Sequence, residues 1–448
     1  MQQDQGGQRE RFNTRLGFIL AAVGSAVGLG NMWRFPYVAA EGGGAAFVFL
    51  YIILTLAVGI PLMLSEFSVG RGARLSPIGA LRKLGGGGWS LLGYMYVITG
   101  FIILAYYSVI AGWVIRYALD GILGGFSSDT AGHFEAVTTG MSPIWFHLVV
   151  MATTILIVSM GVKKGIERAA LILMPILFGI LIFLAIWALT LDGAMEGYAF
   201  YLSPRIQDLL DPYILSQAAG QAFYSLSLGM GCMLTFSSYL SDDTNMNREA
   251  VTISFSDFGV AFTAGLVVFP VIFALGMQND VSESTIGALF IALPGAFVEM
   301  GAIGRGIGIL FFIALIVGAI TSAVSLLEVV TASVIDEFRL PRKPASVAGG
   351  ILIALMGLLP ASSLDLLGVV DSLSQALLGL GAFFMAIFVG WVAVGAADEL
   401  RKGASERTRK FIPVIMGAIR FILPPMILFA TVYAFIAVVQ EYRAAFGG

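Results

Sequence analysis

Residues 24–31 read GSAVGLGN, inside RLGFILAAVGSAVGLGNMWRFPYVAA (15–40), an otherwise apolar stretch long enough to cross a bilayer. Three glycines and an asparagine in eight residues are a poor way to build a helix. Each glycine costs roughly 1 kcal/mol relative to alanine in a helix interior. In hydrocarbon the cost is sharper, because a peptide group that leaves the helix finds no water to bond. Such a segment is tolerable only where its freed backbone lines a protein cavity or meets a ligand.

The surrounding chain makes hydrocarbon the relevant solvent. Of its 448 residues 58% are hydrophobic and 12% charged, and the mean hydropathy is +0.91. Soluble domains carry about 25% charged residues. The opening MQQDQGGQRERFNTR is polar, with no apolar core followed by a cleavage site, so no removable signal peptide is expected. One cysteine, Cys232, excludes an internal disulfide. A net charge of −3 implies no nucleic-acid partner.

Apolar runs predict eleven spans, near 14–40, 44–70, 89–124, 143–161, 166–191, 213–240, 250–277, 303–338, 346–360, 366–397 and 411–440. The stretch 281–300 is only moderately apolar and reads as an external helical hairpin. Nineteen of the 25 Lys and Arg residues fall on one side, at the N-terminus and in alternate loops. The positive-inside rule makes that side cytoplasmic. The reading is a plasma (inner) membrane protein with its N-terminus inside and its C-terminus outside. One transmembrane transport domain is expected to fill 1–448.

Span six carries a second interruption, SLSLGMG (225–231). Gly28 and Gly229 occupy corresponding places if spans one to five (14–191) are repeated as spans six to ten (213–397), with span eleven (411–440) added. Five is odd, so the second unit enters with opposite topology. Paired glycine-interrupted segments in two inverted halves point to a transporter's central site. Unwinding exposes carbonyls for a cation and leaves half-helix N-termini that attract a carboxylate. The expected fold is an all-α integral membrane 5+5 inverted-repeat transporter with eleven transmembrane helices, the first and sixth broken.

GSAVGLGNMWRFP (24–36), EGGGAAF (41–47), GIPLMLSEFSVGR (59–71), KKGIERAALILMP (163–175) and GQAFYSLSLGMG (220–231) resemble the neurotransmitter:sodium symporter family, in its bacterial amino-acid branch. The resemblance covers nearly the whole chain, and its implications follow residue by residue. Amine-transporting members have an aspartate at the position of Gly28; glycine here implies a substrate that brings its own carboxylate, a zwitterionic amino acid. That carboxylate would meet the amides near Leu29 and Gly30 and the hydroxyl of Tyr107, and the ammonium would meet carbonyls of Ala26, Tyr224 and Ser227. Ile103, Tyr224, Met230, Ser322 and Leu326 would wall the side chain, favouring a hydrophobic or aromatic one. One sodium would be held by Ala26, Asn31, Ser225, Asp257 and the substrate carboxylate. A second would take carbonyls of Gly24, Val27 and Gly318 and the hydroxyls of Thr321 and Ser322.

Asp257 is the only acid in mid-span seven, where a charge costs roughly 2.5–3.5 kcal/mol. The family's best-known pattern has asparagine there; chloride-dependent relatives have a serine one turn on, where this chain has Ala261. Chloride is therefore not expected. The resemblance makes Glu66 a brace for unwound span six; Glu328 reads as another buried structural acid, with a proton-linked role open for either. It pairs Arg34 with Asp371 as the outer gate and Arg9 with Asp336, supported by Tyr239, as the inner one. Phe12 stands where relatives often have tryptophan. The competing function is a proton-coupled amino-acid permease of the same fold, against which Asn31, Thr321 and Ser322 argue. A channel fits paired gate charges less well. With two histidines, His133 and His147, there is no Ser–His or metal-ligand cluster for an enzyme.

Overall fold

The computed structural model describes residues 10–276 and 288–446. Regular structure among them is entirely helical. Among the described residues, nine continuous helices are long and apolar enough to cross a membrane. In addition, Arg15–Ala26 and Gly30–Glu41 form a pair bent by 50°. The predicted sixth span is Pro212–Ser225 and Cys232–Ser237, each too short to cross alone. Both breaks fall where the glycines predicted them.

The first helix starts because Thr14 caps it, its side chain accepting the Gly17 N–H, and ends at Val27 in extended backbone. A π-turn, Gly30–Arg34, resumes it. In span six the break runs through Ser227, Gly229 and Gly231, all with positive φ. Gly229 is needed twice over: its φ is +80°, and a Cβ there would lie 2.3 Å from the Leu378 carbonyl of span ten. Ser227 holds φ 53° without being glycine, a strain of order 1–3 kcal/mol. Its hydroxyl donates to the Ser25 carbonyl at 2.7 Å, tying the two broken segments together.

Spans three (Gly87–Leu123) and eight (Gly301–Phe338) form the interior, whereas five (Val162–Ala188) and eleven (Glu406–Phe446) turn mostly outward. Several helices outrun the predicted boundaries. Span nine starts at Arg342 rather than 346, and span seven (Met246–Ala274) starts four residues early because Asn245 caps it. Hydropathy sees only the part in hydrocarbon, while helices continue to their caps. Of the predicted hairpin, 281–287 lies outside the described residues; the rest is a short apolar helix, Leu289–Glu299, whose Phe290 carbonyl accepts the Tyr117 hydroxyl at 2.7 Å.

Candidate functional site

Between the two breaks lies a small cavity walled by ten of the eleven expected substrate residues: Ala26, Gly28, Gly30, Ile103, Tyr107, Tyr224, Ser227, Met230, Ser322 and Leu326. Leu29 is the exception. Its side chain is fully buried elsewhere, and only its N–H reaches the site, donating to the Tyr107 hydroxyl at 3.2 Å. Ser25 and Ser225 also line the cavity, although the sequence reading did not place them in its wall. Space at Gly28 is tightly bounded. A Cβ there would sit 2.4 Å from Ser322 Oγ and 2.7 Å from the Tyr107 hydroxyl.

Beside the cavity Asp257 is fully buried. Its Oδ1 accepts from Asn31 Nδ2 at 2.7 Å and from Ser225 Oγ at 2.9 Å. Oδ2 accepts from the Tyr51 hydroxyl at 3.1 Å. All three partners are neutral, and no described Lys, Arg or His pairs with this carboxylate. A buried acid in this setting is neutralised by a bound cation or by its own proton, and hard oxygens from Asp257, Ser225 and Asn31 suit an alkali ion. Tyr51 was not anticipated; in FVFLYIIL (47–54) nothing separates it from the other aromatic packing residues.

The second expected cation cluster also assembles. Ser322 Oγ donates to the Gly24 carbonyl at 3.3 Å, and Thr321 Oγ1 donates to the Gly318 carbonyl at 3.0 Å. The Val27 carbonyl lies 3.5 Å from where a Gly318 Cβ would be. The cluster joins the broken first span to the continuous eighth.

A family model described as the sodium:neurotransmitter symporter family matches residues 9–133 and 133–446. The chain belongs to this family. It is similar to the sodium-dependent transporter YhdH of Bacillus subtilis, at 36% identity over 436 residues, covering 93% of this chain and 95% of that protein. The bovine (Bos taurus) sodium-dependent neutral amino acid transporter B(0)AT2 is 32% identical over 339 residues, 67% of this chain and 45% of the relative. Among solved structures, MhsT in complex with L-phenylalanine aligns with TM-score 0.86 and 40% identity, over 96% of this chain and all of that one. Family membership makes the protein a sodium-coupled, multi-pass membrane transporter and not an enzyme.

In this symporter Glu66 braces the break in span six. It is fully buried, and its two carboxylate oxygens accept the N–H groups of Gly229 at 2.8 Å and Leu234 at 3.2 Å. Glu66→Gln replaces one acceptor with a donor facing a backbone N–H. We expect a loss of about 1–3 kcal/mol, read as a lower denaturation midpoint in detergent together with weakened substrate binding.

The outer gate differs from expectation. Arg34 and Asp371 line one vestibule of about 560 Å³, but no ion pair joins them. Arg34 lies over the Tyr224 ring, 5.5 Å from its centroid. Asp371 instead accepts from the Tyr106 hydroxyl at 2.7 Å and Gln375 Nε2 at 3.2 Å. The carboxylate is satisfied without the arginine, whereas Arg34 Nη1 is buried with no hydrogen-bond partner among the described residues. Tyr224 lines both the vestibule and the cavity.

At the inner gate Arg9 lies outside the described residues. Asp336 accepts the Ser76 N–H at 2.6 Å. Phe12 packs edge-on against Phe18, Phe236 and Tyr239. The Tyr239 hydroxyl donates to Glu328 at 2.5 Å. Glu328, the expected buried acid of span eight, pairs with Arg342 through both oxygens at 2.7 and 2.9 Å, and Arg342 also reaches Glu10 at 2.9 Å. Arg342→Gln strands a buried acid, at a cost of about 3–5 kcal/mol. Glu10, 43% exposed, contributes about 0–1 kcal/mol. Denaturation midpoints in detergent should therefore fall markedly for Arg342→Gln and barely for Glu10→Gln.

Proposed function

We propose that this protein is a sodium-coupled symporter of zwitterionic amino acids with hydrophobic or aromatic side chains, working by alternating access and without chloride. The reading rests most heavily on Asp257: a buried carboxylate among neutral donors, next to a cavity whose Gly28 leaves no room for a protein acid. The substrate's carboxylate would meet the Leu29 and Gly30 amides and the Tyr107 hydroxyl, and its ammonium the carbonyls of Ala26, Tyr224 and Ser227. The first sodium would sit among Ala26, Asn31, Ser225, Asp257 and the substrate carboxylate, so that each ligand lowers the other's desolvation penalty. The second would be held by Gly24, Val27, Gly318, Thr321 and Ser322. MhsT holding L-phenylalanine and B(0)AT2 being a neutral amino acid transporter support this substrate class.

The single domain would comprise the repeats 14–191 and 213–397, with 411–440 packed on the second, in the inner membrane with the N-terminus cytoplasmic. Both sodium clusters draw ligands from a broken span and from a continuous one. Their affinity therefore differs between outward and inward forms, as a coupled equilibrium requires. Arg34 and Asp371 would approach when the outer vestibule closes, and Arg9 with Asp336 and Tyr239 would close the inner side.

Uptake of labelled phenylalanine into proteoliposomes decides the matter. It should follow an inward sodium gradient, stop in choline, and be indifferent to replacing chloride with gluconate. Uptake in choline driven by an acid outside would instead favour proton coupling through Asp257. Thr321→Val removes one oxygen ligand and should raise the half-saturating sodium concentration about tenfold, equivalent to roughly 1.4 kcal/mol.

A further inference from the structure

The six Lys and Arg residues outside the main basic clusters include Arg420, in the first third of predicted span eleven. It is surface-exposed on one of the most outward-facing helices. Spans ten (Leu364–Val392) and eleven each relax into a π-turn at the same level, Phe388–Val392 and Ala418–Ile422. There the backbones nearly touch, a Gly390 Cβ position lying 3.2 Å from the Arg420 Cα. Arg420 Nε donates to the Gly390 carbonyl at 2.6 Å, and its guanidinium lies 5.9 Å from the centre of the Trp391 ring. Phe421 meets the same indole edge-on. One N–H of five is thus used; the other four have no acceptor among the described residues.

A guanidinium with four free donors cannot face hydrocarbon unattended. Its level in the membrane says what it faces. Span ten leaves its helix at Val392, so Gly390 and Trp391 belong to its last turn, in the interfacial zone favoured by tryptophan. The residues beyond carry the chain's densest basic run, including Arg407, Arg409 and Lys410, which make no ion pair among the described residues. Those three open the helix that runs on to Arg420, and exposed Phe411 and Val414 intervene. Basic residues above exposed apolar ones form a surface suited to the anionic lipid interface.

We propose that Arg420, clamped by Gly390 and Trp391, holds the phosphodiester of an anionic phospholipid in the leaflet on the basic side. The acyl chains run along exposed Phe421 and Ile422; the guanidinium disfavours a headgroup that carries its own cation, and Arg407, Arg409 and Lys410, about three turns back along the helix, draw anionic lipid to this face. The bound lipid bridges spans ten and eleven at their paired π-turns. No part of this depends on which solute is carried.

The test is native mass spectrometry of the full-length protein in detergent, titrated with phosphatidylglycerol or phosphatidylcholine. The wild type should retain phosphatidylglycerol at least tenfold more strongly, and Arg420→Gln should abolish that preference without moving the thermal midpoint. Equal retention of the two lipids, or an unchanged preference in Arg420→Gln, overturns the proposal. If the variant fails to fold, the wild type still decides. Phosphatidylglycerol with a photoreactive headgroup should label the segments 388–392 and 418–422, and labelling confined to other segments overturns it equally.

Discussion

Asp257→Asn should raise the sodium concentration needed for substrate binding about a hundredfold. The substitution preserves shape, so Asn31, Ser225 and Tyr51 stay in place and what changes is charge. Two unit charges about 4 Å apart interact by roughly 4 kcal/mol at an effective dielectric of 20, or about three decades in affinity. The amide oxygen of the new asparagine still coordinates, which recovers about one decade and leaves two. Scintillation proximity binding of labelled phenylalanine across a sodium series measures the shift directly. Tyr51→Phe supplies the graded companion: it removes a donor 3.1 Å from Oδ2 and should cost about 1 kcal/mol of sodium affinity. Wild-type sodium affinity in Asp257→Asn would refute the assignment of the fixed negative charge.

At Gly28 the expected losses are larger still, and they separate into bulk and charge. Any Cβ there meets Ser322 Oγ at 2.4 Å and the Tyr107 hydroxyl at 2.7 Å. Overpacking of this kind costs about 1–3 kcal/mol, so Gly28→Ala should weaken phenylalanine binding about tenfold to a hundredfold. Gly28→Asp adds a carboxylate where the substrate's own carboxylate belongs and should abolish binding. Loss in that variant alone would not separate the two effects. Gly28→Asn, nearly the same size and uncharged, does. If the asparagine and aspartate variants bind phenylalanine equally poorly, the carboxylate has no special place at this end of the cavity. A sharper sign is a switch of ligand class, in which the aspartate variant alone binds phenethylamine.

The sequence went far at the central site because its signals are local. Glycine clusters mark breaks wherever they fall in apolar runs, and serines and an asparagine inside such runs stand out against leucine and phenylalanine. Ten of the eleven expected substrate-binding residues therefore line the cavity. Leu29 shows where local reasoning stops: its backbone belongs to the site while its side chain belongs to the core. Tyr51 stops it differently, since an aromatic in FVFLYIIL reads as packing until Asp257 is known to lie beside its hydroxyl. At the inner gate Arg342 reads as one more cytoplasmic cation, yet it is the partner that makes buried Glu328 tolerable.

From the sequence alone came the solvent of the chain, the positions of its two breaks and the oxygen-rich residues within them. Hydropathy, glycine content and residue chemistry act over a few consecutive residues and need no knowledge of neighbours in space. Which groups meet was decided only by the tertiary structure: Tyr51 with Asp257 across 206 positions, Glu10 with Arg342 across 332, and Arg34 with an aromatic ring in place of an acid. A carboxylate, a hydroxyl or a guanidinium takes whichever complementary group the packed helices bring within about 3 Å. Packing of many apolar helices is a collective outcome that no single segment encodes.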